Sequence, residues 1–143
     1  MQENFFDVQV RCEYLPRESD PAQAVYRFAY TIRIHNLGER AGQLIARHWW
    51  IRNGHGQVEQ VRGLGVVGGQ PFLEPGQSFE YTSMCQLATP KGSMRGHYLC
   101  VDEQGQVFEC PIAEFVLDAG SPAGAVAKDL VIMAPAGQSR LLH

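Results

Sequence analysis

Side chains alternate with period two along most of this chain, and that alternation confines the fold to sheets. In residues 5–15, Phe6, Val8, Val10, Cys12 and Tyr14 fall on one side and Asp7, Gln9, Arg11 and Glu13 on the other, the pattern of a half-buried strand. The alternation returns with Tyr26, Phe28, Tyr30, Ile32 and Ile34 against Arg27, Thr31 and Arg33. Residues 43–52 are apolar at adjacent positions (Leu44, Ile45, Ala46, Trp49, Trp50, Ile51), as expected of a central strand covered on more than one side. Shorter strands are expected over 57–62 and 77–83, then a hairpin of 94–102 and 106–110 around Asp102 to Gly105, and an extended piece to Leu117. Glycine and proline turns separate these runs, and no helix-period segment of useful length appears. The expectation is an all-β antiparallel sandwich of about seven or eight strands.

At 143 residues such a sandwich suits one domain that removes about 70% of its unfolded surface from water. Its expected span is 1–118. Residues 119–143 turn to Ala, Gly, Ser and Pro and are expected to be a flexible tail. Its one apolar run, Leu130 to Met133, is able to dock on the body or on a neighbouring copy, which leaves a homo-oligomer open.

Function classes narrow by exclusion. The net charge is −3 with Lys and Arg scattered, so no basic stripe offers itself to nucleic acid. The start, MQENFFDVQV, lacks a secretory pattern, and no run reaches the eighteen apolar residues of a membrane span. A cytoplasmic protein with reduced thiols is expected. Cys12, Cys85, Cys100 and Cys110 make no CxxC, so four free thiols are expected. With the hairpin centred between Glu103 and Gln104, Cys100 and Cys110 would point to opposite faces of the sheet.

Gly63, Gly65 and Gly68 spell GxGxxG, but Pro71 and Pro75 follow where a dinucleotide fold needs a helix. The glycines are expected to turn the backbone between strands. Their successive amides remain able to form an anion-binding nest, so the alternative expectation is a protein that binds pyrophosphate or a nucleotide on this segment, or one that binds a divalent metal. Ser93 and His97 lie about 13 Å apart along a strand, too far for a nucleophile and its base. The histidines fall at no metal-ligand spacing, although a site built from distant strands would draw on His48 and His97 with a cysteine. Carboxylates are dispersed over different strands. A non-catalytic domain without a cofactor is expected.

Arg47, His48 and Trp49 (RHW), the glycine segment with Gln70 and Pro71, Glu80 to Ser83 (EYTS), and Thr89, Pro90, Gly92, Met94, Gly96 and Tyr98 together resemble the ApaG family. Departures are Met84, Cys100, Cys110 and Ala113. The resemblance implies a fibronectin type III-like or immunoglobulin-like sandwich. It also implies an association with cobalt and magnesium resistance or efflux, and a binding role like that of related modules in larger eukaryotic proteins.

Binding is expected in long loops on a rigid scaffold. If every run crosses the sheet, the loops at Leu37 to Gly42, Gly63 to Gln70 and Met84 to Ser93 share one end. Those at Pro16 to Gln23, Asn53 to Gly56, Glu74 to Gly76 and Glu103 to Gly105 share the other. The expected contacts for a protein partner or small anionic ligand are Arg62, Gly63, Gly65, Val67, Gly68, Thr89, Lys91 and Arg95. The pair Phe72 and Leu73 is the shortest run, and the count reverses if it fails to cross.

Overall fold

The alternating segments become strands in the computed structural model, which describes residues 3–120. They are β1 (Phe6–Tyr14), β2 (Tyr26–Asn36), β3 (Gly42–Asn53), β4 (Val58–Leu64), β5 (Phe72–Leu73), β6 (Ser78–Leu87), β7 (Lys91–Asp102) and β8 (Val107–Asp118). One antiparallel sheet has the order β1-β2-β6, and the other β4-β3-β7-β8 with β5 also paired to β3. The run Leu130 to Met133 lies outside the described residues.

The two sheets close over Phe28, Tyr30, Ile32, Ile34, Leu44, Trp49, Met94 and Tyr98, all buried. Trp49 presents its ring edge-on to Tyr30 at 5.5 Å and to Phe115 at 6.1 Å. Buried polar groups need partners in such an interior, and the hydroxyls of Tyr81 on β6 and Tyr98 on β7 bond one another across it.

The apolar stretch of β3 has a different cause from the one expected. Leu44 pairs with Cys100 and Ala46 with Leu99, so Ile45 is an extra residue. This bulge resets the alternation. Leu44 points inward before it, and Trp49 and Ile51 after it. Strand β3 is central, yet only one of its faces is covered.

The glycine segment interrupts a single edge. Strand β4 pairs with Ala46 to Arg52 and β5 with Gly42 and Gln43, both antiparallel to β3. Between them Val66 and Gly69 exchange backbone hydrogen bonds of 2.8 and 2.9 Å around Val67 (φ 41°) and Gly68 (φ 83°), a two-residue reverse turn with both central residues left-handed. The bulge carbonyl of Ile45 accepts the Gly65 amide at 2.7 Å and Gln70 Nε2 at 2.9 Å.

Because β5 continues β4 instead of recrossing, the alternation of loops reverses from there. The connection 15–25, the turn 54–57 and Ala88 to Pro90 share one end: Tyr26 pairs with Leu87, and Gly54 N donates to Thr89 Oγ1 at 2.7 Å. The connections 37–41, 74–77 and 103–106 share the other, where Glu103 N donates to Ala41 O and Gly76 N to Asn36 O. Met84 to Ser93 is also no long loop, since β6 runs to Leu87 and β7 begins at Lys91.

At that second end the buried Asp102 carboxylate gathers three segments. It accepts Asn4 Nδ2 at 3.0 Å and the amides of Gln104 and Gln106 at 2.8 and 2.9 Å, and it pairs with Arg40 at 3.3 Å. Burial pushes this carboxyl up, but the donors from Gln106, Asn4, Gln104 and Arg40 outweigh it and hold it below its ordinary value.

The β7–β8 register corrects the expected cysteine geometry. Val101 pairs with Val107, Cys100 with Phe108 and Cys110 with Tyr98, so the turn is centred on Gln104 and both cysteines face the core. All four cysteines are free. Burial pushes Cys85 up to about 12, with Glu59 and Cys12 adding to it, and Cys110 up to about 12, with Asp7 adding to it. Cys100 is driven up by burial and then by Cys110. Cys12, raised by its partial burial, is the accessible one. At about pH 8 a thiol reagent therefore labels Cys12 in the folded protein, slowly, and all four cysteines after unfolding without reductant. Two labelled groups after unfolding would contradict this arrangement.

Candidate functional site

The strand alternation that buries Trp49, Ile51, Met94 and Tyr98 turns their neighbours outward on the open face of the larger sheet. His48, Trp50 and Arg52 come from β3, Gln60, Arg62 and Leu64 from β4, and Arg95, His97 and Leu99 from β7. Register then sets who meets whom: His48 lies between Arg62 and His97, and Trp50 between Gln60 and Arg95.

These residues form a column. The His48 ring stacks on Trp50 with centroids 3.8 Å apart and planes 23° apart, and Arg95 Cζ sits 4.6 Å from the Trp50 ring centroid, within reach of a cation–π contact. His97 approaches both rings, at 5.3 Å from His48 and 5.6 Å from Trp50. His48 Nε2 is 3.0 Å from Gln60 Oε1 and 3.3 Å from Arg62 Nε. It donates to Gln60 when it carries the proton and accepts from Arg62 when it does not.

Three arginines stand near the column, with Glu114 lining a small recess beside Trp50, Arg52 and Arg95. Among the described residues, Arg52, Arg62 and Arg95 have no carboxylate within ion-pair distance, whereas Arg40 pairs with Glu3 and Asp102 at one end and Lys91 lies 4.0 Å from Asp118 at the other. His97 Nε2 lies 3.8 Å from Glu109 Oε2. A concavity of about 470 Å³ opens beside the column, between Ala46, His48, Arg62, Leu64, His97 and Leu99.

The residues expected from sequence separate into three places. Arg62 and Arg95 flank β3 on the open face. Gly63 lies in β4 opposite Arg47, whose Nη1 donates to the carbonyls of Leu64 and Gly65 at 3.0 and 2.9 Å; a Cβ on Gly63 would lie 2.7 Å from that guanidinium. Gly65, Val67 and Gly68 belong to the edge turn. There the amides of Gly65, Val66 and Gly69 already serve main-chain carbonyls, which leaves little of a nest. Thr89 is buried, accepting from Gly54 N and donating to Lys91 O at 2.7 Å. Thr89 and Lys91 thus sit at the end away from the 74–77 turn, and the glycine turn lies on the sheet edge, so they do not assemble into one surface.

His48 and His97 do meet, as cross-strand neighbours. No cysteine joins them, because Cys85, Cys100 and Cys110 point into the core, and among the described residues no group of three His, Cys, Asp or Glu is placed to hold a metal ion. No helix among the described residues is long and apolar enough to cross a membrane. Sequence reasoning missed Trp50 and Arg52 as surface groups. The signal was the HWWIR run itself: once Trp49 is assigned to the core, His48, Trp50 and Arg52 fall in phase on the opposite face.

Residues 16–102 match the ApaG domain family, well over half of the chain. Protein ApaG of Acidovorax sp. is 57% identical over 115 residues, covering 80% of this chain and 84% of that one. Protein ApaG of Bordetella pertussis is 58% identical over 110 residues, covering 77% and 84%. A crystal structure of a Bordetella pertussis protein named ApaA superposes with a TM-score of 0.83 at 52% identity, covering 85% of this chain and 99% of that one. The matched segment contains β2 through β7, and with them the whole Trp50 column. This chain belongs to the ApaG domain family.

Proposed function

We propose that the protein is a non-catalytic binding module that engages a protein partner through the open face of its larger sheet. The observation that carries this reading is the Arg95–Trp50–His48 column with Arg52 and Arg62 beside it. Tryptophan and arginine are the residues that dominate binding energy at interfaces, and here they stand on a rigid sheet where, among the described residues, Arg52, Arg62 and Arg95 make no ion pair. The loops support a binding role less, since Thr89 and the glycine amides are occupied by internal bonds. The cobalt and magnesium association of the family, in this reading, is exerted through the partner. Among the described residues, a metal-carrier role has only His48, His97 and Glu109 to draw on.

Substitutions on the outer side of this sheet leave the core between the sheets intact and cost far less than core truncations, which makes the face testable. The tagged full chain carrying Trp50→Ala or Arg95→Glu is expected to lose the cytoplasmic species that co-purifies with the parent, while melting within about 5 °C of it. Lys91→Glu, at the far end, retains that species. Loss on Lys91→Glu with retention on Trp50→Ala would move the binding surface to the loop end.

A further inference from the structure

The concavity beside the column has a chemistry of its own, and it lies on the side of His48 away from Arg52. Its floor is apolar: Ala46, Leu64, which is 76% exposed, and Leu99, which is 37% exposed. Its polar margin carries Arg62 on β4 and the imidazoles of His48 and His97 on β3 and β7. Arg62 makes no ion pair among the described residues and spends its Nε on His48 Nε2 at 3.3 Å and its Nη2 on Gln60 Oε1 at 3.4 Å. Both are long bonds to neutral acceptors, which an anion readily replaces with charge-assisted ones. Exposed leucine flanked by an unpaired guanidinium is what an amphiphilic small molecule complements: apolar body on Leu64 and Leu99, anionic head on Arg62 and the imidazole N–H groups.

We propose that this concavity is a binding site for a small organic anion, a phosphate monoester or carboxylate carrying an apolar or aromatic group. The volume of about 470 Å³ is in the range of small-ligand sites. A bare inorganic anion would leave the leucines in water, and a neutral apolar molecule would leave Arg62 without its charged partner. Glu109, the carboxylate at the rim, lies opposite Leu99 on β8 and 3.8 Å from His97. It opposes the anion's charge and confines the head group to the Arg62 side. This site shares His48 and Arg62 with the partner-binding reading, but its apolar floor of Leu64 and Leu99 is its own and it uses neither Trp50 nor Arg95.

The test titrates phenyl phosphate, benzoate, inorganic phosphate and phenol separately into the full chain, following the methyl signals of Leu64 and Leu99 and the ring signals of His48 and His97 by NMR. Phenyl phosphate or benzoate is expected to bind at least about tenfold more tightly than inorganic phosphate or phenol. Whichever of the two is tighter identifies the head group. Arg62→Ala weakens that binding about tenfold and Glu109→Gln strengthens it, both at unchanged melting temperature, while Arg95→Ala leaves it as it was. The proposal is overturned if the organic anions bind no better than inorganic phosphate, if their shifts centre on Val67 and Gly68 instead, or if Arg62→Ala binds them as the parent does. Loss of the protein partner on Trp50→Ala with anion binding intact would leave both readings standing; anion binding lost alone removes only this one.

Discussion

Trp49→Ala is expected to cost about 3 to 5 kcal/mol of folding free energy, and Trp50→Ala less than about 1 kcal/mol. The two residues are adjacent and chemically identical, so the difference measures placement alone. Trp49 has no exposed surface and packs edge-on against Tyr30 from the smaller sheet and Phe115 from β8, so truncation opens a cavity that both sheets border. Trp50 loses its stacking with His48 and Arg95, contacts made at a surface where water replaces them. Urea melts of the two variants decide the matter. Equal destabilisation would mean that the strand carries the opposite parity and that the open face described above is the wrong one.

Gly65→Ala is expected to cost about 3 kcal/mol, much more than Gly56→Ala at about 1 kcal/mol. Both glycines have positive φ, 64° and 81°, so both substitutions carry backbone strain. They differ in space. A Cβ on Gly65 would lie 2.2 Å from the Gly69 carbonyl oxygen, whereas nothing lies within 4 Å of one on Gly56. The clash is with backbone that is itself held by the Val66–Gly69 bridge, so relief requires opening the turn and freeing the bulge carbonyl of Ile45. Thermal melts of both variants should show that ordering. If Gly65→Ala is as mild as Gly56→Ala, the turn is looser than its hydrogen bonds describe.

Much of the architecture was legible because period-two alternation is a local property. Phe6 to Tyr14 and Tyr26 to Ile34 declare their inward faces without reference to anything else, and the two strands do pair, Val8 with Ile34 through Tyr14 with Phe28. Misreadings arose where parity depends on a partner strand. Ile45 is an ordinary strand residue by composition, and only the pairing with β7 makes it a bulge. The β7–β8 turn can be centred on Gln104 or half a residue away with the same sequence, yet that half-residue decides whether Cys110 faces Cys100's side. Two-residue β5 is indistinguishable in sequence from a short crossing strand, and that ambiguity moved three loops to the wrong end. The site followed the same rule. Arg62 and Arg95 could be singled out as exposed cations, but Trp50 could join them only once the bulge had fixed which tryptophan is inside. The family resemblance, strong across RHW and EYTS, carried the fold and left the face unmarked.

The strand that begins the domain is completed by the one that ends it. Cys12 Sγ donates to the Val116 carbonyl at 3.2 Å and Cys110 Sγ to the Phe6 carbonyl at 3.1 Å, each across 104 residues of sequence. Hairpins such as β7–β8 can form locally and early, but this seam must wait for almost the whole domain to be synthesised, and its closure bears the entropy of joining the most distant segments. Until then the apolar side of β1, with Phe6, Val8 and Val10, has no facing strand. The nascent chain therefore passes through a stage in which the inner side of β1 is open, and the time spent there depends on how fast β8 arrives.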